Sequence, residues 1–172
     1  MKTAVIFGSG RCSTRTRMYY SAFRLGEILA KKGFNIANGG YGGVMEASAK
    51  GASVFNVQRI GVIFRNYKSF PNKYINRTIE ANSYIERLEK LIELGDVFFV
   101  FEGGSGTLLE IVALLTLKER GLNNAPVFCV GRKWRKIVNF IKKISKFEKL
   151  DEIERQIKFV EDVNEIETLL SY

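Results

Sequence analysis

Histidine is absent from this 172-residue chain, and its absence removes several common kinds of active site. Without histidine, no Ser–His or Cys–His pair can activate a nucleophile, and neither a histidine metal site nor a histidine general base is available. Any proton transfer must therefore depend on Glu, Asp, Lys, Tyr or Cys side chains.

Cysteine is also scarce, since the chain has only Cys12 and Cys129. The two residues form no CxxC pair and predict no disulfide framework. Cys129 lies in the apolar segment Val127–Val130, which favours a buried thiol that acts as a small hydrophobe. Cys12 lies in a glycine-rich loop, where a reactive thiol is the less favoured alternative.

Long apolar runs are missing too, because none approaches the roughly 18 residues of a membrane-spanning helix. The apolar run near the start, Thr3–Phe7, is too short for the core of a signal peptide, so we expect a cytoplasmic protein. The chain is 46% hydrophobic and has no low-complexity tract, linker or internal repeat. It therefore predicts one folded domain over residues 1–172.

The net charge of +9 is concentrated in the first half of the chain. Residues 1–80 carry 13 Lys and Arg against three Glu, a local net charge of +10. Such a field suits an anionic ligand, although it also suits nucleic acid and ordinary solvated lysines. No recognised nucleic-acid motif or aromatic platform accompanies the charge, so nucleic-acid binding is the disfavoured alternative.

Apolar β-forming segments alternate with amphipathic segments along the whole chain. Predicted strands lie at Thr3–Phe7, Phe34–Asn38, Arg59–Phe64, Arg77–Ala81, Val97–Phe101, Val127–Val130 and Ile157–Val160. Predicted helices lie at Thr16–Lys32, Val44–Gly51, Ser83–Leu94, Gly106–Arg120, Trp134–Phe147 and Val163–Leu170. The alternation predicts an α/β fold in which helices cover both faces of a parallel sheet.

Three glycine-rich loops, at residues 8–13, 39–43 and 102–106, each follow a predicted strand. Because βα loops of a parallel sheet lie along its carboxyl edge, we expect the three loops to share one crevice. The most specific is GG-x-GT-xx-E at Gly103–Glu110, which runs from a strand into a helix N-terminus. Unpaired N–H groups and close-approaching glycines make such a turn an anion cradle. The alternative is a tight turn without a ligand.

Glu110 lies three residues after Thr107 and therefore on the same helical face. A carboxylate repels a bound anion, so a phosphate-binding role does not explain it. The placement indicates that Glu110 acts on another part of a phosphorylated ligand.

Two of these segments resemble motifs of the LOG (LONELY GUY) family. Gly39–Glu46 is similar to the family's second glycine loop, and Gly103–Glu110 is similar to its GG-x-GT-xx-E signature. The resemblance spans about residues 3–170. It implies a Rossmann-like, doubly wound parallel sheet in a single domain, often assembled as a homodimer.

The same resemblance implies a cytokinin riboside 5′-monophosphate phosphoribohydrolase-like activity. Such enzymes cleave nucleoside 5′-monophosphates, AMP included, to free base and ribose 5-phosphate, without a cofactor or metal. The family was long mislabelled as lysine decarboxylases. That label does not suit this chain, because nothing in it resembles a pyridoxal-phosphate lysine motif.

The resemblance also implies roles for individual residues. Arg87 falls at the place of the family's catalytic arginine, and Glu110 is its partner. The implied phosphate and nucleotide ligands are Gly8, Ser9, Gly39, Gly40, Gly42, Gly43, Met45, Gly103, Gly104, Ser105, Gly106 and Thr107. The alternative for Arg87 is a surface arginine that pairs with Glu110 or with a neighbouring acid.

The chain departs from the family at three places. Glu102 stands where a proline is usual, Leu88 stands where a lysine is usual, and the first loop at Gly8–Arg11 matches loosely. A Glu102 carboxylate that faced the cradle would repel a phosphate, and strand alternation allows the side chain to point away from the crevice, which we expect. The alternative is that Glu102 faces inward and selects a ligand with less negative charge at that end, such as an unphosphorylated nucleoside. A second class of function is a non-catalytic carrier of a nucleotide or phosphorylated pterin, because relatives with this fold include molybdenum-cofactor carriers.

A homodimer is expected from the resemblance and from the helix that carries the signature. This helix is apolar on nearly all sides, and a helix of that kind must be covered on both sides. The residues concerned are Leu108, Leu109, Ile111, Leu114 and Leu115.

Overall fold

A computed structural model describes residues 1–65, 70–144 and 157–170. The strands are β1 (Thr3–Phe7), β2 (Asn35–Asn38), β3 (Arg59–Phe64), β4 (Arg77–Ala81), β5 (Val97–Phe101), β6 (Val127–Val130) and β7 (Ile157–Val160). The helices are α1 (Arg17–Lys31), α2 (Val44–Ala52), α3 (Tyr84–Leu94), α4 (Ser105–Glu119), α5 (Trp134–Ile144) and α6 (Glu165–Leu169). Each predicted element is present with ends shifted by at most two residues, except that residues 145–147 of the fifth predicted helix lie outside the described residues.

All seven strands form one sheet in the order β4-β3-β2-β1-β5-β6-β7, and every pairing is parallel. Val5 lies opposite Ala37 of β2 on one side and opposite Phe98 of β5 on the other. The order reverses between β1 and β5, so this is the topological switch point of a doubly wound sheet. The Rossmann-like α/β fold is therefore confirmed, and its ligand crevice is expected above β1 and β5.

Two apolar cores lie on the opposite faces of the sheet, because successive side chains of a strand point in opposite directions. Phe99 packs with α1, α2 and α6 on one face and stacks on Phe128 at 5.0 Å between ring centroids. Phe98 packs with α3, α4 and α5 on the other face and stacks on Phe7 at 6.2 Å. Both strands at the switch point are buried along their whole length.

Helices α1 and α2 approach each other until their backbones touch. A Cβ atom at Gly26 would overlap the carbonyl oxygen of Ser48, and one at Gly51 would overlap the carbonyl oxygen of Phe23. The small residues Ser48 and Gly51 of α2 therefore serve its close packing on α1.

None of the helices within the three described ranges is long and apolar enough to span a bilayer.

Candidate active site

The three glycine loops meet above the switch point, at the carboxyl edge of the sheet. The Ser9 N–H donates to the Glu102 carbonyl at 3.3 Å, which joins the loops after β1 and β5. The Val44 N–H donates to the Ser9 carbonyl at 2.9 Å, which joins the loops after β1 and β2. The structure thus brings the predicted loops into one crevice.

Two glycines are required by this convergence. A Cβ atom at Gly43, whose φ is +64°, would overlap the Ser9 carbonyl oxygen. A Cβ atom at Gly103 would overlap the Thr107 hydroxyl and lie 3.0 Å from the Ser9 nitrogen. Close approach of the loops therefore explains these positions even before a ligand is considered.

The N-terminus of α4 is left open toward the crevice. Its N-cap residue, Gly104, makes no side-chain capping hydrogen bond, and the first turn contains no acidic residue. A side chain built at Gly104 would meet nothing within 4 Å. The first N–H groups of a helix have no partner within the helix, so they remain available to an anion at this end.

Ser105 and Gly106 are the first helical residues of α4 rather than loop residues, and Thr107 follows in the same turn. The Thr107 side chain is buried, and its hydroxyl group lies against Gly103. Backbone N–H groups and one hydroxyl group are therefore the donors that this side of the crevice offers to an anion.

Arg87 lies beneath the loop after β2. Only 7% of its surface is exposed, and its Nε donates to the Val62 carbonyl of β3 at 2.7 Å. A Cβ atom at Gly39 would overlap its Nη2, so this glycine makes room for the guanidinium group. The alternative of a surface arginine is wrong, and within the described ranges Arg87 forms no ion pair.

Two tyrosine rings flank the Arg87 guanidinium group. Its Cζ lies 5.7 Å from the ring centroid of Tyr41 and 5.9 Å from that of Tyr84. Contacts of this length are cation–π interactions. Together with the Val62 carbonyl, the rings hold the charged group at a fixed place.

Glu110 is a buried ionisable residue near Arg87, with 9% of its surface exposed. Burial raises the pKa of its carboxyl group from 4.5 to about 8, and the positive charge of Arg87 opposes the rise. No described cation lies within ion-pair distance of Glu110, so Arg87 acts on it through space. At pH 7 the carboxyl group is mostly protonated in the ligand-free protein.

Asparagines that the sequence interpretation missed hold the loop after β2. The Asn38 amide group donates to the Met45 carbonyl at 3.0 Å, and its oxygen accepts from the Gly40 N–H at 2.8 Å. Asn72 donates to the carbonyl oxygens of Gly40 and Tyr41 at 3.0 and 2.8 Å. The position of Asn38 directly before two glycines was the available signal, whereas Asn72 is distant in sequence.

The remaining predicted ligands line the same loops. A Cβ atom at Gly10 or Gly39 would lie 3.1 Å or 2.7 Å from the Met45 side chain, so Met45 fills the space between these two loops. Gly8 has no room for a side chain, since a Cβ atom there would lie 2.8 Å from that of Phe101. Gly42 borders the Gly10 carbonyl.

The Glu102 side chain points away from the cradle, as predicted. Its carboxylate accepts from the Lys133 N–H at 3.2 Å and lies 3.3 Å from the Lys133 Nζ. It also lies against Gly131, at the turn between β6 and α5. The residue that replaces the family's proline is therefore engaged with a neighbouring loop.

The cysteines show no sign of reactivity. Burial is the main cause that raises the pKa of the Cys12 thiol, and burial raises the pKa of Cys129 to about 12. Both thiols are therefore protonated at neutral pH. Among the described residues, no group of three or more Cys, Asp and Glu side chains is placed to hold a metal ion.

Comparison with known proteins places the chain among relatives in sequence and in fold. The chain is 36% identical over 114 residues to an uncharacterized protein of Archaeoglobus fulgidus, covering 66% of this chain and 72% of the relative. It is 31% identical over 136 residues to a pyrimidine/purine nucleotide 5′-monophosphate nucleosidase of Escherichia coli K12. That match covers 72% of this chain but only 30% of the nucleosidase.

Among solved structures, the molybdenum cofactor binding protein of Rippkaea orientalis has a TM-score of 0.75 at 19% identity, covering 99% of this chain and 96% of that one. At this identity the similarity shows a shared fold. The family model described as the SLOG cluster4 family matches residues 1–165, nearly the whole chain. The chain therefore belongs to the SLOG cluster4 family, a LOG-like family, as its two glycine motifs indicated.

Proposed function

We propose that this protein hydrolyses the N-glycosidic bond of a nucleoside 5′-monophosphate, of the AMP or cytokinin-ribotide type, to free base and ribose 5-phosphate. The observation that carries the proposal is the placement of Arg87 and Glu110, two buried charged residues, beside the open N-terminus of α4. Phosphate binding alone would not require a buried acid there. The sequence similarity to a monophosphate nucleosidase supports the same reaction class.

Each part of the site has a role in this reaction. The N-terminus of α4 and the Thr107 hydroxyl bind the 5′-phosphate, and the first two glycine loops border the nucleoside. As the bond between C1′ and the base breaks, its electron pair leaves on the base and positive charge develops on the ribose. The Glu110 carboxylate stabilises this charge and accepts a proton from the attacking water, while solvent protonates the departing base nitrogen and Arg87 orients the ligand and the carboxylate.

The pKa of Glu110 gives this mechanism a definite pH dependence. Because the carboxylate is the active form, kcat/KM rises with pH, reaches half of its plateau at about pH 8, where Glu110 is half ionised, and levels off above it. At pH 7 about one-tenth of the molecules carry the charged form, so activity there is about one-tenth of its plateau. A rate that falls above pH 8 would instead assign Glu110 as a proton donor to the leaving base.

We further propose that the protein is a homodimer joined through the outer face of α4. Ile111, Leu114 and Leu115 pack on the sheet, whereas other apolar residues of the same helix face outward. These are Leu108, Leu109 and Val112, with 42%, 40% and 37% of their surfaces exposed. Three exposed apolar side chains in little more than one turn favour burial against a second copy of the helix.

The decisive experiment incubates the protein with AMP, other monophosphates and adenosine, and follows free base by chromatography. We expect base release from monophosphates only, with one ribose 5-phosphate formed for each base. Glu119→Gln, at the other end of α4, is the matched control for Glu110→Gln. Absence of base release from all monophosphates at pH 9 would overturn the hydrolase proposal.

The second candidate is a carrier that binds a nucleotide or phosphorylated pterin without turnover. The fold similarity to a molybdenum cofactor binding protein favours it. Binding of AMP with no base release, together with tighter binding of a phosphorylated pterin, would support the carrier.

A further inference from the structure

Tyr84 occupies a place between the two halves of the proposed site. It is the first residue of α3, one turn before Arg87, and its ring contacts the Arg87 guanidinium group at 5.9 Å. The other end of the side chain extends to α4, since its hydroxyl oxygen would lie 2.6 Å from a Cβ atom at Gly106. The side chain therefore spans the crevice from the arginine to the phosphate cradle.

This contact explains why residue 106 is a glycine. The ring carbon Cζ of Tyr84 would lie 3.9 Å from the same Cβ position, which is ordinary contact, so only the hydroxyl group is crowded. A side chain at residue 106 would displace the Tyr84 hydroxyl from the first turn of α4. The glycine thus keeps this hydroxyl group beside the helix N-terminus.

The hydroxyl group is available for a ligand. The Tyr41 hydroxyl, on the other side of Arg87, accepts from the Phe64 N–H at 3.1 Å. The Tyr84 hydroxyl has no hydrogen-bond partner among residues 1–65, 70–144 and 157–170, and 47% of the residue surface is exposed. The Tyr41 hydroxyl is therefore engaged in a hydrogen bond to the backbone. The Tyr84 hydroxyl, at the rim of the crevice, has no such bond among the described residues and can donate to a ligand.

We propose that the Tyr84 hydroxyl donates a hydrogen bond to the 5′-phosphate, and that this bond makes the site select phosphorylated nucleosides over unphosphorylated ones. The proposal rests on the proposed function for the identity of the ligand. It adds a substrate-binding residue that neither glycine motif contains. Hydrogen bonds to charged groups are among the stronger ones in proteins, so the selection is measurable.

The test measures dissociation constants for AMP and adenosine by calorimetry, and KM and kcat where turnover occurs. Tyr84→Phe keeps the ring against Arg87 and removes only the hydroxyl group. We expect AMP binding to weaken about tenfold, adenosine binding to change less than twofold, and kcat to change less than threefold. Tyr20→Phe, at an exposed tyrosine of α1, is the matched control and leaves all values unchanged.

Gly106→Ala supplies a second route to the same result. It should weaken AMP binding in the wild-type background by displacing the hydroxyl group, and have less than a twofold effect in the Tyr84→Phe background. An equal effect in both backgrounds would show that the alanine blocks the phosphate directly, and would overturn the explanation of Gly106.

The outcomes separate this inference from the proposed function. AMP binding without base release, weakened by Tyr84→Phe, supports the Tyr84 assignment and overturns the hydrolase. Equal AMP affinity of Tyr84→Phe and wild type overturns the Tyr84 assignment, even when base release is observed. Failure of the wild type to bind AMP overturns both.

Discussion

Helices α1 and α4 hold equivalent places in the fold but are built differently. Each has 15 residues and follows one of the two strands at the switch point. The N-terminus of α1 is closed by Thr16, whose hydroxyl accepts from the Tyr19 N–H at 3.2 Å. The N-terminus of α4 begins at an uncapped glycine.

Their outer faces differ as well. Most of the outer residues of α1 are polar or charged, and Arg24 and Glu27 pair at 3.1 Å on that helix. The outer face of α4 presents exposed leucine and valine instead. The difference supports the proposals made above, in which a ligand binds at the N-terminus of α4 and a second subunit covers its outer side.

The largest expected effect concerns the buried acid of α4. Glu110→Gln keeps the shape of the side chain but removes its charge, so we expect kcat for base release to fall at least a hundredfold. AMP binding and the circular dichroism spectrum should remain, as measured at pH 9. Full activity in this variant would show that Glu110 has no part in the mechanism. It would also remove one of the functional differences proposed between α4 and α1.

The second effect concerns the exposed side of α4. Leu109→Asp places a charge in the proposed subunit contact, so light scattering at micromolar concentration should give half the mass of the wild type. The matched control is Tyr20→Asp on α1, where 68% of the tyrosine is exposed, and it should leave the mass unchanged. A monomeric wild type would contradict the dimer.

The third effect is on the free energy of unfolding, which we expect to decrease with rising pH because of Glu110. Between pH 4.5 and about 8 the folded protein keeps the Glu110 proton while the unfolded chain releases it. The free energy of unfolding therefore falls as pH rises through this window, by at most about 5 kcal/mol at about 1.4 kcal/mol per pH unit. The loss is complete above pH 8.

Glu110→Gln removes this titration, so it should be more stable than the wild type at pH 8 and nearly equal to it at pH 4.5. Urea unfolding at the two pH values measures the difference. Glu119→Gln should follow the wild type at both. An equal difference at both pH values would show that Glu110 is not buried in its neutral form.

A smaller effect is expected at the closed end of α1. Thr16→Ala removes the capping oxygen and should lower the free energy of unfolding by about 1 kcal/mol. Thr16→Ser keeps the cap and serves as the control. AMP affinity should stay within twofold in both variants, and a larger loss would mean that the end of α1 also serves the ligand.

The smallest effect is expected at Glu102, just before the open end of α4. Because its carboxylate is engaged with Lys133, Glu102→Pro should change AMP affinity less than tenfold. Calorimetric titration of AMP and adenosine checks this. The assignment of the phosphate cradle would be contradicted if the wild type bound adenosine more tightly than AMP and if Glu102→Pro strongly restored AMP binding.

Local patterns in the sequence predicted much of this architecture. Apolar β-forming runs such as Val97–Phe101 predicted the strands. The apolar residues on nearly all sides of α4 predicted a helix that packs on both of its sides. The direction of the Glu102 side chain followed from charge repulsion together with strand alternation. These features depend on neighbours within a few residues, which a sequence displays directly.

The environment of the charged residues could not be predicted in the same way. Arg87 is buried because a carbonyl of β3 accepts its Nε and because Gly39 leaves space for it, and both lie far away in sequence. The raised pKa of Glu110 depends on how completely the folded chain buries its carboxyl group, which residues near in sequence do not show. The bridge from Tyr84 to Gly106 joins two helices and leaves no trace in a linear pattern.

The backbone contact between α1 and α2 has a mechanical consequence. Because Gly26 and Gly51 let the backbones of the two helices pack in contact, the loops that precede these helices are held together on one side of the crevice. The opposite side, at the start of α4, is joined to it by the backbone hydrogen bond from Ser9 to Glu102 at 3.3 Å. The two sides of the crevice are therefore held together twice, by the pairing of β1 with β5 in the sheet and by this hydrogen bond between the loops above it.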